Sequence, residues 1–258
     1  MKKRLSWMLV LALAVSSVGV VQSASAENIQ SINAFLKPKK LFKTGKRKTV
    51  SLFVDVATTN PSNPFGTPSP TTLAKVDFDK DVKFDQKGLD TCNPGLFTSA
   101  TTTDQAQNLC PSSKIGGGSS KIAIPTAVGS PPLNIDATVT AFNGKAKTLV
   151  LHTYNSVSGA TVLVGKLSRD PAAGRKYGTT LTVPVPPLAG GTAVITEFQV
   201  RVKKSFRFRG RRHGLVSSTC RDKRIRFQAR FTYKDGTSDD AQDTQKCKQL
   251  RSKRKHHH

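Results

Sequence analysis

Two histidines, His152 and His213, stand in the body of this sequence, apart from three at its end. With a lysine, such a pair could cleave RNA by general acid–base catalysis. His152 shares the parity of Val150 and Tyr154 in an alternating run, which predicts a packed side chain. His213 falls in an arginine-rich loop. Asp77, Asp79 and Asp81 have the D-x-D-x-D spacing of a calcium loop. That loop needs Gly at its sixth position and Glu at its twelfth. Val82 and Gly88 stand there, so the carboxylates read instead as the solvent face of a strand. Glu197 is the one glutamate in the body, so a glycosidase pair would need aspartates alone. There is no G-x-S-x-G elbow. Gly116-Gly117-Gly118 is not followed by the Lys-Ser/Thr of a phosphate cradle and reads as a bend before a short strand. The expectation is a protein without a catalytic set, metal or cofactor.

Binding chemistry is better represented. The chain carries 41 Lys and Arg against 16 Asp and Glu, a formal +25. From Arg201 onward there are 19 basic residues against 5 aspartates. Arg201 and Lys203 on one predicted strand, Arg224, Arg226 and Arg230 on another, and Arg207, Arg209, Arg211 and Arg212 between them could form one face. This requires the two strands to be neighbours. Such a face would bind polymeric phosphate or carboxylate by releasing counterions. Phe206 and Phe208 alternate with arginines and could stack bases, although the same alternation fits core residues of a short strand. A neutral-sugar platform is disfavoured: the one tryptophan, Trp7, lies in the leader, and Tyr154 and Tyr233 have core parity.

The address is written at the start. Lys2-Lys3-Arg4, an apolar run to Val21 and Ala24-Ser25-Ala26 make a secretory signal over residues 1–26. Four cysteines in a secreted chain imply two disulfides. Three pairings are possible, and Cys92–Cys110 with Cys220–Cys247 is preferred because each bond then brackets a loop or hairpin. The C-x-x-C spacing of a zinc site is absent.

The elements that must position these residues are short strands. Ile225, Phe227, Ala229, Phe231 and Tyr233 alternate with Arg224, Arg226 and Arg230, the period of a half-buried strand. Residues 49–56 and 192–203 repeat the pattern, and 74–85 does so as one strand or as two kinked at Lys80-Asp81. Two β-patterned runs flank Asn143-Gly144, a hairpin signal. Pro61, Pro64, Pro68 and Pro70 mark a surface loop. Thr103 can cap one or two helical turns before Cys110. The reading is all-β, a β-sandwich or jelly-roll-like fold of nine or ten strands with two disulfides and little helix. Residues 27–48 form a basic lead-in, 49–248 one domain and 249–258 a disordered basic tail.

Cys92, Cys110-Pro111, Ile115-Gly116-x-Gly118 and the late Phe227-Gln228-Ala229-x-Phe231-Thr232-Tyr233 strand together resemble a group of uncharacterised secreted β-sandwich proteins of actinobacteria. That resemblance covers most of the mature chain, supports fold and secretion, and implies no activity. The expected function is non-enzymatic adhesion to an anionic partner: a wall polymer, an acidic polysaccharide or extracellular nucleic acid. A secreted hydrolase using scattered His and Asp is one alternative, and a structural partner-binding module is another. The expected location is extracellular, at or near the cell surface.

Overall fold

A computed structural model describes residues 28–127 and 129–250. The expected signal segment and the last eight residues of the expected tail lie outside the described residues. In chain order the strands are β1 (Ile29–Lys37), β2 (Lys40–Phe42), β3 (Lys48–Thr49), β4 (Ser51–Thr59), β5 (Thr71–Asp79) and β6 (Val82–Phe84). Helix α1 (Thr103–Leu109) precedes β7 (Lys114–Ile124), β8 (Leu133–Asn143), β9 (Thr148–Asn155), β10 (Gly159–Ser168) and β11 (Tyr177–Pro184). The remaining strands are β12 (Val194–Val202), β13 (Ser205–Phe208), β14 (Arg211–Gly214), β15 (Val216–Ser218), β16 (Arg224–Tyr233), β17 (Ser238–Lys246) and β18 (Lys248–Leu250). The chain is all-β, as expected, with more and shorter strands than the sequence suggested.

Eleven strands form one sheet in the order β1-β4-β12-β7-β8-β9-β10-β11-β5-β16-β17, antiparallel throughout. Strand alternation explains its closure. Ala34 and Leu36 on β1, Leu52, Val54 and Val56 on β4, and Ile225, Phe227, Ala229 and Phe231 on β16 are all buried in one core. One way to cover an apolar face this wide is for the sheet to roll onto itself. It does, into a near-barrel whose first and last strands meet.

The meeting of β1 and β17 is not a backbone ladder. Asp239 Oδ2 accepts from Gln30 N at 2.6 Å, Asp243 Oδ2 from Ala34 N at 2.8 Å, and Gln245 Oε1 from Leu36 N at 2.7 Å. Gln245 Nε2 also donates to Leu36 O at 2.9 Å. Each partner lies 209 residues along the chain, so the strands run side by side in a fixed register. The same spacing sets Ala241 opposite Ile32.

The basic lead-in, 27–48, was expected to lie ahead of the domain. Instead all nine residues of β1 pair with β4, and Lys40–Phe42 pairs in parallel with Lys248–Leu250. The folded unit therefore extends at both ends beyond the 49–248 expected, because alternation in 29–37 is masked by polar Gln30 on the buried face and apolar Ile29 and Phe35 on the outer one. The Gly116-Gly117-Gly118 triplet also lies inside β7 rather than at a bend before it. A Cβ at Gly116 or Gly118 would fall 2.0 or 1.9 Å from a carbonyl oxygen of β12, so glycine is what lets the two backbones approach.

Both expected disulfides form. Cys92–Cys110 has a Cα–Cα distance of 5.5 Å and clamps a flap, residues 90–113, over the outer face of β8 and β9. Phe97 packs 5.6 Å from Phe142 and 5.1 Å from His152. Within the flap Thr102, one residue ahead of the expected Thr103, caps α1 in a reciprocal capping box with Gln105. Cys220–Cys247 spans 27 residues with Cα–Cα 6.2 Å and ties the start of β16 to the end of β17. Replacing both of these cysteines by serine is expected to lower stability by about 3.5 kcal/mol, from the loop-closure entropy of a chain of that length. Chemical denaturation of the two forms checks this.

Candidate polyanion-binding end

In an antiparallel sheet alternate connections fall at the same end of the barrel. One end is built from residues 38–50, 80–89, 144–147, 169–176, 203–223 and 247–250. These segments hold 23 Lys and Arg against 4 Asp. The opposite end is built from 60–70, 125–132, 156–158, 185–193 and 234–237, with one basic residue, Lys234, and one acidic, Asp235. Charge is thus segregated along the barrel axis.

An exposed part of the cationic end is the β13–β14 hairpin. Phe206 pairs with His213 and Arg207 with Arg212 across a two-residue turn, Arg209-Gly210, whose φ values are 51° and 73°. Positive φ at both turn residues matches the right-handed twist of a tight hairpin. Arg207, Arg209, Arg211 and Arg212 are exposed. None of them forms an ion pair with another described residue. Phe206 stacks on His213 at 5.6 Å, and a Cβ at Gly88 would lie 2.2 Å from the Phe208 ring. The phenylalanines hold the hairpin against the barrel, with His213 Nδ1 3.4 Å from Asp85 Oδ2.

The other expected site residues divide. Arg201 lies flat on the outer face, its guanidinium 5.1 Å above Phe53 and 5.7 Å above Phe35, whose rings stack at 4.8 Å. Lys203 is exposed where β12 enters the cationic end, and Arg224 is exposed at the start of β16. Arg226 and Arg230 instead hold the aspartates of the D-x-D-x-D run. Arg230 Nε and Nη2 meet the two oxygens of Asp77 at 2.7 and 3.0 Å, and Nη2 reaches Asp170 at 2.8 Å. Arg226 Nη1 donates to Asp79 Oδ2 at 3.0 Å, and its Nη2 pairs with Asp222. Arg221 Nε lies 2.9 Å from Asp81. Asp77, Asp79 and Asp81 are buried, not on the solvent face expected, because the 169–176 loop and these arginines cover them.

The electrostatics follow. The bonds from Arg230 and Lys75 hold the Asp170 carboxyl well below the usual carboxylate range. The Arg230 guanidinium is pushed further up by Asp77 first and Asp170 second. Burial raises the Asp79 carboxyl, partly offset by backbone and Arg226 hydrogen bonds. These pairs serve the fold, and among the described residues no group of three or more His, Cys, Asp and Glu side chains converges on a metal site.

The expected single face across β12 and β16 does not form. β4, β1 and β17 stand between those strands, so Arg201 and Arg230 are on different parts of the wall. The two histidines do not share a surface either. His152 is fully buried beneath the flap, with Nε2 3.0 Å from Thr101 O and its pKa lowered by burial. Sequence reasoning also passed over Lys145, Lys147, Arg169, Arg175 and Lys176, which are scattered in the chain but join the same end. No family model, curated protein or solved structure matches this chain.

Proposed function

We propose that this is a secreted, non-enzymatic protein that binds anionic polymers end-on, through the cationic connections of its barrel. The observation that carries the reading is the segregation of 23 basic residues to one set of alternate connections and one to the other. Random placement of solubilising charge would populate both ends. The unpaired hairpin arginines supply planar donors suited to phosphate, sulfate or carboxylate groups. Wall polymers, acidic polysaccharides and extracellular nucleic acid share that repeating-anion chemistry. Two disulfides and the N-terminal signal pattern support an oxidising, extracellular setting.

The test is retention of the disulfide-bonded chain on heparin, wall-polymer and DNA supports across a salt series. Binding is expected to weaken steeply with salt, as the log of affinity falls linearly with the log of salt concentration. Retention that ignores salt, or absence of retention on all three supports, would overturn the reading.

A further inference from the structure

The uncharged end has its own feature. The barrel interior is not filled: a cavity of about 100 Å3 runs between Leu151, Leu181, Val183, Val200 and Phe231. Its wall is almost wholly apolar. Thr71, Val185 and Ile195 belong both to this cavity and to a second hollow of about 260 Å3. The second hollow is rimmed by Pro186-Pro187, Gly190-Gly191 and Lys234. The two hollows therefore adjoin across these three side chains, and the second one lies at the uncharged end. Four large apolar side chains, Ile29, Phe65, Leu133 and Val157, are exposed on that same end.

Lys234 is the one cation among these connections, and it stands at the rim. Among the described residues its Nζ has only a 3.3 Å bond, to Gly191 O. Oδ1 of the neighbouring Asp235 accepts from Thr237 N at 2.9 Å and Thr237 Oγ1 at 2.6 Å. A greasy interior with a single ammonium at its mouth is complementary to one chemical class. We propose that the barrel binds a medium-chain monocarboxylate, its alkyl tail inside and its carboxylate at Lys234. An apolar cavity of roughly 150 Å3 holds one benzene, so this interior takes a tail segment of about four carbons, with the remainder lying in the outer hollow. The site is independent of the polyanion reading, since no basic side chain of the cationic end lines either hollow.

The experiment is calorimetric titration of the full disulfide-bonded chain with hexanoate, octanoate and octan-1-ol, each below its aggregation limit. Octanoate is expected to bind one to one and about sixteen-fold tighter than hexanoate, roughly fourfold for each methylene buried. Lys234→Gln is expected to weaken octanoate at least several-fold and leave octan-1-ol unchanged. Val183→Phe fills the cavity and is expected to abolish binding of both. Should that variant not fold, methyl NMR of the native chain decides: octanoate must shift the Leu151 and Val183 methyls. Absence of binding, loss of chain-length dependence, equal effects of Lys234→Gln on acid and alcohol, or shifts confined to surface methyls would each overturn the proposal. Heparin affinity measured alongside reports separately on the opposite end.

Discussion

Arg230→Ala is expected to cost about 3–5 kcal/mol, a large share of the roughly 5–15 kcal/mol that keeps a domain folded. The guanidinium neutralises Asp77, which is 0% exposed, through two bonds of 2.7 and 3.0 Å. Without it the carboxylate keeps Thr180 Oγ1 at 2.5 Å and loses its counter-charge inside the wall. A buried charge stripped of its partner is far costlier than a surface pair lost. Arg224→Ala, exposed on the same strand, is the control and should change stability by no more than about 0.5 kcal/mol. Chemical denaturation of both variants checks the contrast. The pH dependence has a defined sign. Asp170 has a depressed folded pKa, so its contribution is complete above the unfolded carboxylate value, about 3.9, and is lost as pH falls through the folded one. The share of the Arg230→Ala deficit that comes from Asp170 should therefore be full at neutral pH and narrow in acid below about pH 4. A deficit that persists unchanged in strong acid would mean that packing, not charge, is the origin.

Substituting Arg207, Arg209, Arg211 and Arg212 together by serine is expected to lower affinity for an anionic polymer by two to three orders of magnitude near 0.1 M salt. Each contact with a polymer anion that is lost removes about one unit of the salt slope. Stability should be nearly unchanged, since these side chains form no ion pair with described residues. Arg226 and Arg230 make a useful contrast, because their charge is consumed within the fold and contributes little to a polymer. Affinity measured against salt for the native and four-serine chains decides. An unaltered slope would move the binding surface away from the hairpin.

Much of the fold was readable because strand alternation is local. The parity of Ile225 through Tyr233 names the buried face of β16 correctly, and all five of those side chains are in the core. Both disulfides follow from bracketing. Strand neighbours were not readable, because pairing depends on how the whole sheet closes. Arg201 and Arg230 look equivalent as outward residues, yet β12 and β16 are separated by β4, β1 and β17. The fate of an arginine was also hidden: it depends on whether a distant aspartate, here Asp77 on β5, arrives beside it. One signal was present and untapped. Charge tallied connection by connection alternates between rich and empty along the chain, which in an antiparallel sheet means two unlike ends.

The join between β1 and β17 sets the order in which the molecule can be finished. Its two sides are the earliest and the latest strands of the sheet, so during synthesis the outer rim of β1 stays bare until nearly everything else has emerged. A bare rim of backbone donors is a template for any passing extended chain. Asp239, Asp243 and Gln245 occupy those donors with side chains instead of a ladder. The completed molecule thus presents carboxylates and an amide where a naked strand would otherwise invite a neighbour, and it ends growth of the sheet with side chains of β17.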